Sequence, residues 1–402
     1  MWIWITQRRR TIWLVAGILG LYVVVYVVVN GLSFEPRKDE LHFWPTSLQF
    51  SHSWIPSVEL LRSYNELSAP LPFVVFGQAE YWFSRGIWAG RCINFALSLA
   101  VLLIFVLGTS ARHGKRILAV IGVLSMPYFM ACATHLYTDT MAVFFTVVGV
   151  FLHLRRRSLL SAAAFILAIS CRQYMIAFPL GIFVFEVMRG TRAKDLSGLK
   201  FPWPAVWQFV ACASLAGWVA LWGGFCPPAA AEAQGIATVQ PEVIVFQNSL
   251  YALACLGFYF VLPEMILFRG RFHMPSGLVR IAMLCLVAGL GLCFAMFPPW
   301  ANTAQSQIPT MGYMDKLMHV LLPDIARIAI YYILAALATI RFLRWNLEGS
   351  LVLANVLLMM KAHLAWDKYM LPLIVVLWFL GLVSYETAGP QQPARSVAGV
   401  PA

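Results

Sequence analysis

Apolar runs of bilayer-spanning length recur along almost the whole chain, and that recurrence dictates what it can fold into. Ile12 to Val29 carries no charged residue. Similar segments follow at about 92–109, 117–133, 140–154, 158–171, 173–188, 205–224, 244–268, 277–297, 325–341, 346–361 and 369–386. A helix of roughly 20 apolar residues crosses the hydrocarbon layer because it bonds every backbone N–H and C=O internally. The 402 residues are 61% hydrophobic and only 11% charged, with mean hydropathy +0.76, so no soluble core could hide them. The expectation is an all-α, polytopic membrane protein with about 12 spans. One domain covers 1–386, and a disordered cytoplasmic tail covers 387–402.

Arg8, Arg9 and Arg10 precede the first run, which is too long for a signal-peptide core and lacks a small-residue cleavage site. It reads as an uncleaved signal anchor. The stretch 71–84 is apolar too, and counting it as a span would reverse every later orientation. Left out, it places the basic clusters at 8–10, 112–116, 155–157, 189–200, 269–271 and 341–344 in the cytoplasm, as the positive-inside rule requires. Segment 58–90 is therefore an outer-surface stretch with one or two juxtamembrane helices, inside a large outer loop spanning 30–91. Further outer loops cover 225–243 and 298–324. The net charge of +12 reflects cytoplasmic loops facing anionic lipid, with no nucleic-acid partner implied. The eight cysteines show no Cys-x-x-Cys pair, and Cys132, Cys171 and Cys226 lie near the outer surface, where a disulfide could form.

The acids are distributed unevenly. Glu35, Asp39, Glu40, Glu59, Glu66, Glu80, Asp139, Glu232, Glu242, Asp315, Asp324 and Asp367 fall outside, although acids do not set topology. An outer active site would account for them. Asp39-Glu40, just past the first span, suits a general base, or a plain helix cap after Pro36. Tyr137-Thr138-Asp139 opens the fourth span, where capping is again the simpler role. Arg172-Gln173 interrupts the apolar stretch from Ser158 to Glu186; a guanidinium there either faces a cavity or snorkels to the interface. Arg91 and Asn94 open the second span. Lys361 to Tyr369, which includes His363, Asp367 and Lys368, gathers ionisable and aromatic residues between the last two spans. One topology puts all of these on the same membrane face. Acids beside cations and aromatics at a lipid–water boundary suit a donor made of a sugar, a phosphate and a polyprenyl tail.

Glu35-Pro36-x-x-Asp39-Glu40, with Pro45 six residues after Asp39, resembles the first luminal loop of the dolichyl-phosphate-glucose α-1,2-glucosyltransferase family. Arg91-x-x-Asn94, Leu136-Tyr137-Thr138-Asp139, Phe144-Phe145-Thr146 and Arg172-Gln173 resemble its later motifs at similar spacing, over about 35–180. Lys368-Tyr369-Met370-Leu371-Pro372-Leu373 resembles a segment of other GT-C glycosyltransferases. His42 comes three residues after Asp39, where the family has four, and Thr46 to Gln49 replaces a Gln-rich run, so acceptor contacts differ. The resemblance implies a GT-C fold and inversion from a β-linked phosphate donor, with no metal or other cofactor required. The short chain and compact loops look bacterial, with undecaprenol in place of dolichol.

The resulting expectation is a hexosyltransferase, moving a hexose, glucose by the resemblance, from a polyprenyl-phosphate donor to a lipid-linked glycan or other acceptor hydroxyl. It would sit in the bacterial inner membrane with a periplasmic site, or in the ER membrane with a luminal one. Asp39 is the preferred base, with Glu40 its partner or substitute. Arg172 holds the phosphate, supported by Arg91 or Lys368. Asp139 and Gln173 bind sugar hydroxyls or orient Arg172, and Tyr137, His42 and Asp367 complete the substrate contacts. Two other classes stay open: a transporter or flippase of lipid-linked sugars, and a scaffold in an assembly complex.

Overall fold

The apolar runs fold as helices. The computed structural model describes residues 2–28, 35–36, 39–109, 111–192, 203–234, 244–268, 277–299, 312–362 and 364–387, and every regular element among them is helical. The first part of the chain forms α1 (Trp2–Val28), α2 (Glu40–Gln49), α3 (Val58–Ser63), α4 (Leu71–Phe83), α5 (Ile87–Leu107), α6 (His113–Leu124), α7 (Pro127–Thr134), α8 (Thr138–Leu154) and α9 (Ser158–Cys171). The remainder forms α10 (Ala177–Arg192), α11 (Trp203–Trp222), α12 (Pro228–Gln234), α13 (Phe246–Leu256), α14 (Leu262–Phe268), α15 (Leu278–Met296), α16 (Tyr313–Leu321), α17 (Asp324–Phe342), α18 (Leu347–Met359) and α19 (Leu371–Thr387). A π-helical turn, Gly257–Val261, joins α13 to α14, and 3-10 turns at Gln173–Ile176 and Asp367–Met370 lead into α10 and α19.

Five described helices are long and apolar enough to cross a membrane: Ile87–Leu107, Trp203–Trp222, Phe246–Phe268, Leu278–Met296 and Asp324–Phe342. The pair α6 and α7 would make a sixth, bent by 74°. Ile12–Val28, Thr138–Leu154, Ser158–Cys171 and Leu347–Met359 are apolar but shorter. This is a helical protein with membrane-spanning character. Several expected spans are interrupted, for identifiable reasons. The run expected at 117–133 breaks at Met126, which is extended because Pro127 follows it. The runs expected to begin at 173 and 369 instead start as 3-10 turns, each beside a charged residue.

The segment 58–90, expected on the outer surface, contains the helices α3 and α4. At thirteen residues, about 20 Å, α4 is too short to cross a bilayer. Its apolar face packs on α2 instead, with Phe73 and Phe76 buried and Phe43 against Phe73. Gly77 permits this close crossing, since a Cβ there would collide with the Ser47 carbonyl and with Phe50. The middle of the bundle belongs to α19, where every residue from Leu371 to Leu380 is buried. A helix apolar on all sides has nowhere else to go. Its Trp378 lies against Gly122 of α6 and stacks edge-on to Phe260.

Charges collect at both ends of this bundle. At one end Arg341 grips Glu264 at 2.8 and 2.9 Å and Glu348 at 3.1 Å, while Glu186 holds Arg189 at 2.6 Å and His153 at 3.3 Å. The other end carries the site described next. All eight cysteines are free, so the disulfide considered for Cys132, Cys171 and Cys226 does not form. The tail from 388 onward lies outside the described residues, as do parts of the loops 30–91, 225–243 and 298–324.

Candidate active site

Two ion pairs form the centre of the site, and each joins distant parts of the chain. Asp39 is the N-cap residue of α2, but its side chain makes no capping bond; its Oδ2 instead accepts from Lys368 Nζ at 2.8 Å. At the foot of α9, Arg172 Nη2 donates to Asp139 Oδ2 at 2.7 Å, and the Tyr174 hydroxyl donates to Asp139 Oδ1 at 3.2 Å. The 3-10 turns that carry Tyr174 and Tyr369 meet ring to ring, with centroids 5.5 Å apart. Lys368 lies 5.0 Å from the centre of the Tyr137 ring and 4.3 Å from that of Trp366. Tyr137 is placed in turn by Asn94, whose amide donates to the carbonyls of His135 and Tyr137, each at 2.8 Å.

The electrostatics follow from this packing. Burial works against the charge on Lys368, but Asp139 and Asp39 outweigh it and hold the ammonium above its ordinary value. Arg172 is raised in the same way, Asp139 overcoming its desolvation. Both cations stay charged. The Asp39 side chain is 28% exposed, so its carboxylate is anchored yet reachable.

Arg172 also lines a cavity of about 230 Å³. Ile176, Leu215, Leu358 and Met359 form apolar walls, while Gln173 and Lys361 stand with Arg172 at the polar part. Such a pocket, apolar along its length with a few cationic groups, fits an amphiphile with an anionic head.

The structure separates the expected site residues into two groups. Asp39, Lys368, Tyr137, Asp139 and Arg172 come together. Glu40 does not act beside Asp39: it is fully buried, bound by Arg91 Nε at 2.8 Å and Nη2 at 2.6 Å, and it accepts the Leu136 N–H at 2.6 Å. Arg91 is therefore the counter-ion of Glu40, not a second phosphate ligand, because it has no exposed surface. Asp367 is fully buried as well, accepting the Tyr259 hydroxyl at 2.7 Å and the Met314 N–H at 3.0 Å. It secures the first turn of α16, and burial pushes its carboxyl upward. Gln173 lines the cavity, but its amide N–H groups go to Leu67 O at 2.7 Å and Phe225 O at 3.1 Å. His42 is exposed on α2, and only its backbone N–H reaches the cluster, donating to the Asp39 carbonyl at 3.0 Å.

Glu66 escaped the reading of motifs. It is buried between α3 and α4, in the field of Arg172 and Asp39, and desolvation pushes its carboxyl up to about 7. The only signal in the sequence was its membership of the outer acids. Among the described residues no group of three or more His, Cys, Asp and Glu is arranged to hold a metal. Compared with known proteins, the chain matches no family model, no curated protein and no solved structure.

Proposed function

We propose that the protein is a GT-C-type glycosyltransferase of about twelve spans, which takes a hexose from a polyprenyl-phosphate donor on the outer membrane face. The observation that carries this reading is Arg172: it lines the apolar cavity and also belongs to the charge cluster that contains Asp39. The polyprenyl tail lies along Ile176, Leu215, Leu358 and Met359, and its phosphate meets Arg172. The sugar then projects toward Asp39. The resemblance of residues 35–180 to the dolichyl-phosphate-glucose α-1,2-glucosyltransferases favours glucose.

Asp39 takes the proton of the acceptor hydroxyl while Lys368 fixes the orientation of its carboxylate. The acceptor oxygen bonds to the anomeric carbon as the bond from that carbon to the phosphate oxygen breaks. The leaving phosphate gains charge, and Arg172 stabilises it with a guanidinium already oriented by Asp139. One displacement inverts the anomeric centre.

The 74° break between α6 and α7 favours a second reading, since interrupted helices line the substrate paths of transporters. Purified protein in detergent separates the two. Incubated with polyprenyl-phosphate [14C]glucose and a membrane glycolipid extract, it is expected to release polyprenyl phosphate and to label a glycolipid, and Asp39→Asn protein is not. No transfer from glucose, mannose or galactose donors, combined with movement of the donor across sealed vesicles, would replace the enzyme with a flippase.

A further inference from the structure

The end of the bundle opposite the charge cluster holds a cavity of about 310 Å³ that the proposed chemistry does not use. Its walls come from α8, α10 and α19 toward their C-terminal ends, and from α9, α11 and α18 at their N-terminal ends. The charged side chains that line it are Arg156, Arg189, Glu186 and Glu348, with His153 beside them. Both carboxylates are engaged. Glu186 accepts from Arg189 at 2.6 Å and from His153 Nε2 at 3.3 Å, and Glu348 accepts at 3.1 Å from Arg341, which also holds Glu264.

Two other groups of the wall have no such use. The Arg156 guanidinium is exposed and makes no hydrogen bond or ion pair among the described residues. His153 is 7% exposed, and its Nδ1 has no hydrogen-bond partner among them. With Nε2–H turned to Glu186, Nδ1 offers a lone pair or, in the imidazolium, an N–H. A buried nitrogen of either kind requires a partner. The surroundings favour an anionic one. Helix α9 begins at Ser158 of the wall, and no side chain caps its first turn, so the positive end of its dipole lies at the cavity. Arg155 and Arg157 flank Arg156, and Arg344 stands just before Asn346 of the wall. Around the cavity these arginines, with Arg156, Arg189 and Arg341, outnumber Glu186, Glu264 and Glu348 among the described residues.

Arg156 also occupies a costly backbone position. It follows the C-cap of α8 with φ +60°; its N–H donates to His153 O, and the Arg157 N–H donates to Leu152 O, each at 2.9 Å. This is a Schellman closure, where glycine is the usual residue. Arginine there sets a guanidinium on the cavity despite the strain. We propose that the cavity binds a phosphate that keeps an ionisable P–O–H, either free or as the monoester headgroup of a lipid. Arg156 and the first-turn amides of α9 take its anionic oxygens, and His153 Nδ1 shares a proton with one of them. Such a phosphate suits Nδ1 in both states, because P–O⁻ accepts from the imidazolium and P–O–H donates to the neutral ring. A sulfate or a phosphodiester can only accept.

The test is thermal unfolding of the full-length protein in detergent, at constant ionic strength, against rising inorganic phosphate or dihexanoyl phosphatidic acid. A ligand of the folded state raises the melting temperature with its concentration. Both are expected to do so, with sulfate and dihexanoyl phosphatidylglycerol at least about tenfold less potent. Phosphatidic acid acting at a much lower concentration than phosphate assigns a lipid headgroup, and equal or weaker potency assigns free phosphate. Arg156→Gly is expected to melt no lower than wild type without ligand, since glycine adopts φ +60° readily, yet to lose most of the phosphate response. His153→Gln, whose amide reproduces Nε2 but not Nδ1, is expected to lose it as well. No response by wild type, an equal response to sulfate, or a response that survives in both variants overturns the site.

Discussion

Lys368 Nζ and Asp39 Oδ2 lie 2.8 Å apart across 329 residues of chain. A lysine only 4% exposed needs an anion close by, and Asp39 is the one it bonds. The pairing fixes the orientation of the carboxylate and leaves the residue partly open. Asp39→Asn keeps shape and hydrogen bonding but loses basicity, so turnover is expected to fall by at least about 10²-fold while donor binding persists. Initial rates and donor affinity on the same preparation check this. Full turnover by Asp39→Asn would remove it as the base.

Glu40 and Arg91 form a buried pair that also holds the Leu136 N–H. Breaking it leaves a charge without compensation, so Glu40→Gln and Arg91→Met should each lose about 3–5 kcal/mol. The double variant is expected to recover part of that loss, because no isolated charge remains. Thermal unfolding of the four proteins gives the coupling. A stable, inactive Glu40→Gln would instead assign Glu40 to the chemistry.

Arg172 donates to Asp139 and lines the cavity, so its variants should separate two roles. Arg172→Lys retains charge without the bidentate fork, and donor affinity is expected to drop about tenfold or more. Asp139→Asn removes the orienting anion and is expected to lower melting temperature more than donor affinity. Donor affinity and unfolding, measured together, decide. Unchanged affinity in folded Arg172→Ala would confine Arg172 to structure.

Glu66 gives a pH dependence with a definite sign. Its carboxyl rises from 4.5 to about 7 on folding, so the folded protein holds that proton more tightly than the unfolded chain. Its ionisation therefore costs stability, beginning as pH passes about 4.5 and complete above about 7. Glu66→Gln should melt with wild type at about pH 4.5 and above it at about pH 8, by roughly 1–3 kcal/mol. A lower melting temperature at pH 8 would show that the charge is compensated.

Charge within apolar sequence is what made Asp139, Arg172 and Lys368 legible, because the surrounding residues leave few reasons for it. The helices were legible for the same reason, though not their interruptions. Those depend on local turn chemistry at Met126, Arg172 and Lys368. Asp39 and Glu40 misled by adjacency: neighbours at the start of a helix point about 100° apart, so one faces Lys368 and the other Arg91. Glu66 was illegible, since it lies between Asn65 and Leu67 in an ordinary polar turn. Only the tertiary anchors Gln173 and Trp222 make it a buried group.

The buried helix α19 is also the last of the described helices to leave the ribosome. Until it inserts, α6 and α8 lack the wall they close upon, and Lys368 has not yet reached Asp39. The earlier helices must therefore wait without the surface that α19 packs onto α6 and α8. Asp39 acquires its partner in one late event, when α19 enters and brings Lys368 with it. Assembly of the charge cluster and completion of the core thus arrive together.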